Sequence, residues 1–69
     1  RGDEAVNAVL HYIDDAILMG VSRVRILHGT GTGALRQMIR QYLATVPNVT
    51  SYRDEHVQFG GAGITVVEL

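Results

Sequence analysis

Sixty-nine residues, 46% of them apolar, make one domain with one modest core, near the lower size at which a chain folds without staples. The absence of cysteine excludes disulfides and thiolate metal sites, and no run is long and apolar enough to span a bilayer. Six arginines, no lysine and seven acids leave a net charge of −1, so bulk positive charge is excluded as a way of holding nucleic acid, and any such contact must be local. All-arginine usage suits bidentate phosphate contacts, although a bias in genome composition produces the same usage. A first residue of Arg1, followed almost at once by a helical pattern, predicts a piece of a longer protein, and a small domain without staples suits a reducing cytosol, so a cytoplasmic location is expected.

From Asp3 to Met19, apolar residues recur at Val6, Val9, Leu10, Ile13, Ala16 and Ile17, the stripe of an amphipathic helix. Asp3 is placed to cap its start and Gly20 to end it, while Asn7, His11, Asp14 and Asp15 take the wet face. Val21 to His28 changes period: Val24 and Ile26 alternate with Arg23 and Arg25, a strand pattern. Helical spacing returns from Ala34 to Ala44. There Leu35, Met38, Ile39, Tyr42 and Leu43 form one face, Arg36, Gln37, Arg40 and Gln41 the other, and Pro47-Asn48 ends the run. Val49 to Arg53 reads as a short strand, Asp54 to Gly63 as a polar loop, and Ile64 to Leu69 as a β-branched closing strand.

The α-β-α-β-β order predicts an α/β two-layer sandwich, a mixed sheet with both helices on one face. Its first β-α-β step predicts a parallel pair, its last two strands an antiparallel pair, and a further strand is expected upstream of Arg1. The open face of the sheet is expected to carry Arg25, Leu27, Thr65 and Val67.

The chemically loaded feature is the turn His28-Gly29-Thr30-Gly31-Thr32-Gly33 between strand and helix. Helix N-termini carry unpaired N–H groups and partial positive charge, so anions settle there, and glycines let the backbone approach. Gly29, Gly31 and Gly33 are expected to expose N–H donors, Thr30 and Thr32 to add hydroxyls, and Arg36 and Arg40, on one helix face, to form a basic rim. Together they describe a phosphate cradle. Tight β-α turns also use glycines for geometry alone. A Walker A loop is excluded because no Lys-Ser/Thr follows the last glycine, and a Rossmann site needs a larger sheet. His28 suits proton transfer or donation to a phosphate oxygen; its plainer role is to brace the turn. His11 and His56 lack such a setting. Gly60-Gly61-Ala62-Gly63 reads as an unusual backbone entry to the last strand, and Asp54-Glu55-His56 as a polar group with weak metal-ligand spacing.

His28-Gly-Thr-Gly-Thr-Gly-Ala-Leu-Arg36 resembles the His-Gly-x-Gly-Thr-Gly-x-Leu-Arg signature of Smr (small MutS-related) domains. Gly60-Gly61-Ala-Gly63-Ile-Thr65-Val-Val resembles that family's closing Gly-Gly-x-Gly-x-Thr strand. The resemblance covers essentially the whole chain and is strongest to the C-terminal Smr domain of the second bacterial MutS paralogue. It implies a fold like the C-terminal domain of bacterial translation initiation factor three. It also implies nucleic-acid work: DNA nicking assisted by Mg²⁺ or Mn²⁺, in some relatives RNA cleavage or action on ribosomes. The implied parent uses ATP on other domains, dimerises through them and suppresses recombination. The family's Leu-Asp-Leu-Arg/His-Gly motif, with its candidate catalytic aspartate, is expected upstream, with Arg1 matching a basic residue after it. A binding module that docks on DNA, RNA or the ribosome without cutting is the alternative.

Overall fold

The computed structural model describes residues 2–69; the correspondence drawn for Arg1 lies outside them. Five regular elements follow one another: α1 (Gly2–Leu18), β1 (Arg23–Leu27), α2 (Ala34–Leu43), β2 (Ser51–Asp54) and β3 (Ile64–Glu68). Two short 3-10 turns, Val57–Phe59 and Gly61–Gly63, organise the loop before β3. Within the described residues α1 already includes Gly2, so Asp3 lies inside the helix, where its carboxylate favours the helix through the dipole rather than as a cap. Gly20, with φ 75°, ends it as expected. Gly2 also sits close to the second helix: a Cβ there would lie 2.7 Å from the Met38 sulfur.

The sheet order is β1-β3-β2, and both ladders are antiparallel. The expectation of a mixed sheet with a bonded parallel pair is therefore corrected for the described residues. β1 and β2 run in the same direction, but β3 lies between them and bonds to both. The loop from Asp54 to Gly63 is long enough to return β3 through the centre, where its β-branched run is buried on both faces. Val66 and Val67 are 3% and 0% exposed.

Register decides which side chains meet the helices. Val24 pairs with Val67 and Ile26 with Thr65, and across the other ladder Tyr52 pairs with Val67 and Asp54 with Thr65. All six lie on one face. Val24, Ile26 and Val67 join Val9, Ile13 and Ala16 of α1 and Ile39 and Leu43 of α2 in a single core, so both helices cover that face. Full burial of Ile13, Ile39, Leu43 and Val67 contributes about 1.5–3 kcal/mol each in apolar transfer.

The opposite face carries Arg23, Arg25 and Leu27 beside Ile64, Val66 and Glu68, with Ser51 and Arg53 on the far strand. Placing Thr65 and Val67 on this open face is thus corrected. The pairing Leu27↔Ile64 sets β3 one residue out of the phase that placement needs, and a one-residue shift reverses every side chain. Glu68 on the central strand receives Arg23 at 2.8 Å and Arg53 at 3.0 Å, and Arg25 reaches Glu55 at 2.7 Å. These exposed pairs add little stability individually.

A candidate phosphate site at the glycine turn

The turn leaves the end of β1 and runs into α2. Gly29, Gly31 and Gly33 have φ values of 77°, 43° and 83°, all in the left-handed region that side chains with a Cβ avoid. The alternation of glycine with threonine is the backbone requirement of this loop written into the sequence. Gly33 is the N-cap of α2, and the Thr32 hydroxyl accepts the Ala34 N–H at 3.3 Å.

The second glycine segment backs the first. The Gly63 carbonyl accepts both the His28 N–H, at 3.1 Å, and the Gly29 N–H, at 3.0 Å. Gly63 is buried, and a Cβ there would stand 3.7 Å from the Gly29 backbone. Gly60 and Gly61 also take positive φ, 128° and 52°. Gly33 N–H, in turn, donates to the Thr30 carbonyl at 2.8 Å. The expected set of three glycine donors is corrected accordingly: Gly29 and Gly33 spend their N–H groups inside the fold, and Gly31 keeps its own. Among the described residues, the N–H groups of Thr30, Gly31, Thr32, Leu35 and Arg36 have no backbone acceptor. These residues, with Gly2 and Ala5 of α1 as a wall of small side chains, line a concavity of about 500 Å³.

His28 is half-buried at the base of the turn, and both its ring nitrogens are engaged. Nδ1 lies 2.8 Å from the Gly29 carbonyl and Nε2 lies 2.7 Å from Thr65 Oγ1. Thr65 is fully buried, and Arg40 donates to the same hydroxyl oxygen from Nε at 3.3 Å and Nη2 at 3.1 Å. Arg40 Nη2 also reaches Asp54 Oδ1 at 2.6 Å. Arg36 meets that oxygen through Nη2 at 2.8 Å and Nε at 3.2 Å. Tyr52 completes the setting, its ring centre 5.7 Å from the Arg40 guanidinium carbon.

The two arginines expected to form an open basic rim are therefore gathered on one carboxylate. Hydrogen bonding from Arg36, with the charges of both guanidiniums, holds the Asp54 carboxyl below its usual range. The cluster of two cations and one anion keeps one positive charge, and the Asp54 side chain is 42% exposed, so solvent anions can compete for the guanidiniums. Asp54, Thr65 and Tyr52 were not singled out as parts of a phosphate site by sequence reasoning. Their signals were slight: one hydroxyl within a β-branched run, one acid at the end of a short strand. What makes them part of the site is their shared register on the helix-covered face.

The residues adjoining Asp54 do not form a cation site with it. Glu55 turns to Arg25 and caps the His56 N–H at 2.8 Å, while His56 Nδ1 accepts the Gln58 N–H at 3.1 Å. Among the described residues no three His, Asp or Glu side chains converge. With Asp54 committed to two guanidiniums, the donor set of a Mg²⁺ or Mn²⁺ site is not assembled here, and no chemical step is derived through one.

The comparisons agree with this architecture. The Smr domain model matches residues 1–69. The chain belongs to the Smr domain family. Among solved structures it is similar to the Smr domain of Thermus thermophilus MutS2, at 43% identity and a TM-score of 0.96, covering the whole chain and 86% of that one. It is also similar to YdaL, a stand-alone small MutS-related protein from Escherichia coli, at 27% identity and a TM-score of 0.83, covering the whole chain and 57% of YdaL. In sequence it is 49% identical over 69 residues to Endonuclease MutS2 of Shouchella clausii and 46% identical to that of Geobacillus kaustophilus. Each match takes in the whole chain but only 9% of the relative's length. The Smr fold, with two helices on a three-stranded antiparallel sheet, is thus the frame that carries the glycine turn and the arginine pair.

Proposed function

We propose that this Smr domain is a nucleic-acid-processing module that grips a phosphodiester at residues 28–33 and serves a DNA-nicking endonuclease of the MutS2 kind. The observation that carries the reading is the conjunction of the free N–H groups of Thr30, Gly31 and Thr32, at the start of α2, with Arg36 and Arg40 along the same helix. Phosphate oxygens accept the backbone N–H groups and the hydroxyls of Thr30 and Thr32. Arg36 exchanges part of its pairing with Asp54 for the flanking phosphate. Gly29 and Gly33 hold the loop open, and Gly60, Gly61 and Gly63 support it from behind. At rest His28 braces the turn through Gly29; in the cutting step its Nδ1–H exchanges the Gly29 carbonyl for the leaving oxygen, to which it gives its proton.

Hydrolysis in this reading draws its acid, and any Mg²⁺ or Mn²⁺, from ligands outside the described residues. The names of the MutS2 relatives support the nuclease class, and duplex or branched DNA is the preferred substrate of the proposal. The alternative, a DNA-, RNA- or ribosome-binding module without chemistry, is favoured by one observation: Asp54 is neutralised by arginine while both His28 nitrogens are already bonded.

A paired assay on supercoiled plasmid and structured RNA, with Mn²⁺ or EDTA, compares this chain with the longer protein that carries it. Metal-dependent nicking by the longer protein, lost in His28→Ala, supports the nuclease reading. Binding by both and cutting by neither selects the alternative, and binding by neither removes the phosphate grip.

A further inference from the structure

A chain of hydrogen bonds crosses the site, and its direction is dictated by chemistry. Arg40 is only a donor and the Gly29 carbonyl only an acceptor. Thr65 Oγ1 accepts from Arg40, so its own proton is available to one neighbour, and the ring nitrogen 2.7 Å away is that neighbour. In the neutral ring His28 Nε2 therefore accepts, Nδ1 carries the one ring proton, and Nδ1–H donates to Gly29. Each group in the chain is satisfied, in keeping with the lack of any unpartnered buried side-chain polar atom among the described residues. The hydroxyl at the centre is wholly buried and sits on the middle strand of the sheet.

We infer that Thr65 is the positioning residue of the site, its hydroxyl fixing the His28 ring in the Nδ1–H form under the glycine turn and setting the Arg40 guanidinium for phosphate. The inference deepens the phosphate-grip reading and rests on it. Thr65 touches no substrate. It joins the two halves of the grip, because the turn hangs on His28 through Gly29 while the guanidinium pair hangs on Arg40. Placement on rigid β3, bonded on both edges, is what lets one hydroxyl hold both. A valine there keeps the shape and removes the donor and acceptor together. It leaves His28 Nε2 without its donor and Arg40 without one of its two anchors.

The test is nitrogen NMR of the His28 ring joined to binding of a fluorescein-labelled duplex DNA as salt is varied, for the wild-type chain, Thr65→Ser and Thr65→Val. In the wild-type chain Nδ1 is expected to bear the proton and Nε2 to be bare, and the serine variant is expected to match it in both readouts. The valine variant is expected to show a mixture of the two ring tautomers and DNA binding weaker by about tenfold, the scale of one lost hydrogen bond to a charged group. Its salt dependence should be shallower by about one phosphate contact. A wild-type ring protonated on Nε2 instead overturns the inference without any variant, which covers the case of a valine chain that fails to fold. Unchanged DNA binding in folded Thr65→Val overturns the positioning role alone. Failure of the wild-type chain to bind the duplex overturns the phosphate-grip reading and this inference with it.

Discussion

Gly33 offers a clean measure of what the glycine turn costs and gains. Its φ of 83° and ψ of −2° are left-handed, and a Cβ built there meets nothing within 4 Å, so alanine adds backbone strain without any clash. An L-residue held left-handed costs about 1–2 kcal/mol. Alanine also restricts the unfolded chain, which returns about 0.4–1 kcal/mol. Gly33→Ala is thus expected to destabilise by roughly 0.8 kcal/mol, the midpoint of a range from about 0 to 1.6, which is a fall in Tm of about 3–6 °C for a domain of this size. D-alanine at the same position keeps the entropic gain and escapes the strain. It is expected to be more stable than wild type, and the two enantiomers should separate by about 1–2 kcal/mol. A chain this short is open to total chemical synthesis, and parallel urea and thermal unfolding provide the comparison. Equal stability of the two enantiomers would refute the claim that handedness explains glycine at this position; a loss in both would point instead to a steric partner for Cβ.

Other outcomes follow from the same structure. Ile13→Ala removes a side chain with no exposure and is expected to cost about 2–5 kcal/mol, whereas Leu18→Ala, at 84% exposure, should stay within about 0.5 kcal/mol of wild type; urea titration distinguishes them. Asp54, Glu55 and Glu68 are all held below the ordinary carboxylate range, by hydrogen bonds from Arg36, from the His56 backbone and from Arg53 respectively. The unfolded chain therefore binds more protons in the acid range. Their contribution is present above the unfolded values of about 4 and is lost as pH falls through the lower folded values. Unfolding midpoints measured from pH 7 to pH 2 should decline in that window, less steeply in Glu68→Gln, and less at high salt. Under the phosphate-grip reading, Arg36→Gln should weaken duplex binding and reduce the salt slope by about 0.9, while Arg23→Gln on the opposite face should do neither. Equal losses for the two variants would mean that binding is spread over the surface rather than localised at the turn.

The elements that depend on neighbours in sequence were legible from the residues. The stripe from Val6 to Ile17, the alternation around Val24 and Ile26, and the face from Leu35 to Leu43 each form the element their period predicts, within a few residues at the ends. The strand ends moved most. Val21 and Ser22 lie outside β1, and β2 spans Ser51–Asp54 rather than starting at Val49, because a strand ends where its ladder ends and the ladder belongs to another segment. The turn at 28–33 was equally legible, since positive φ is a property of each residue's own backbone and glycine is its mark.

What residue order alone determined, then, is local: two amphipathic helices, β-type segments, and a left-handed loop placed at the start of a helix. Tertiary structure decided the rest. It put β3 between β1 and β2, turned Thr65 and Val67 toward the helices, spent the Gly29 N–H on Gly63, and brought Asp54 to Arg36 and Arg40. The physical reason is strand register. Side chains alternate with a period of two, so the face a strand residue occupies depends on which partner it meets across the sheet, and that partner is set by packing the whole core at once.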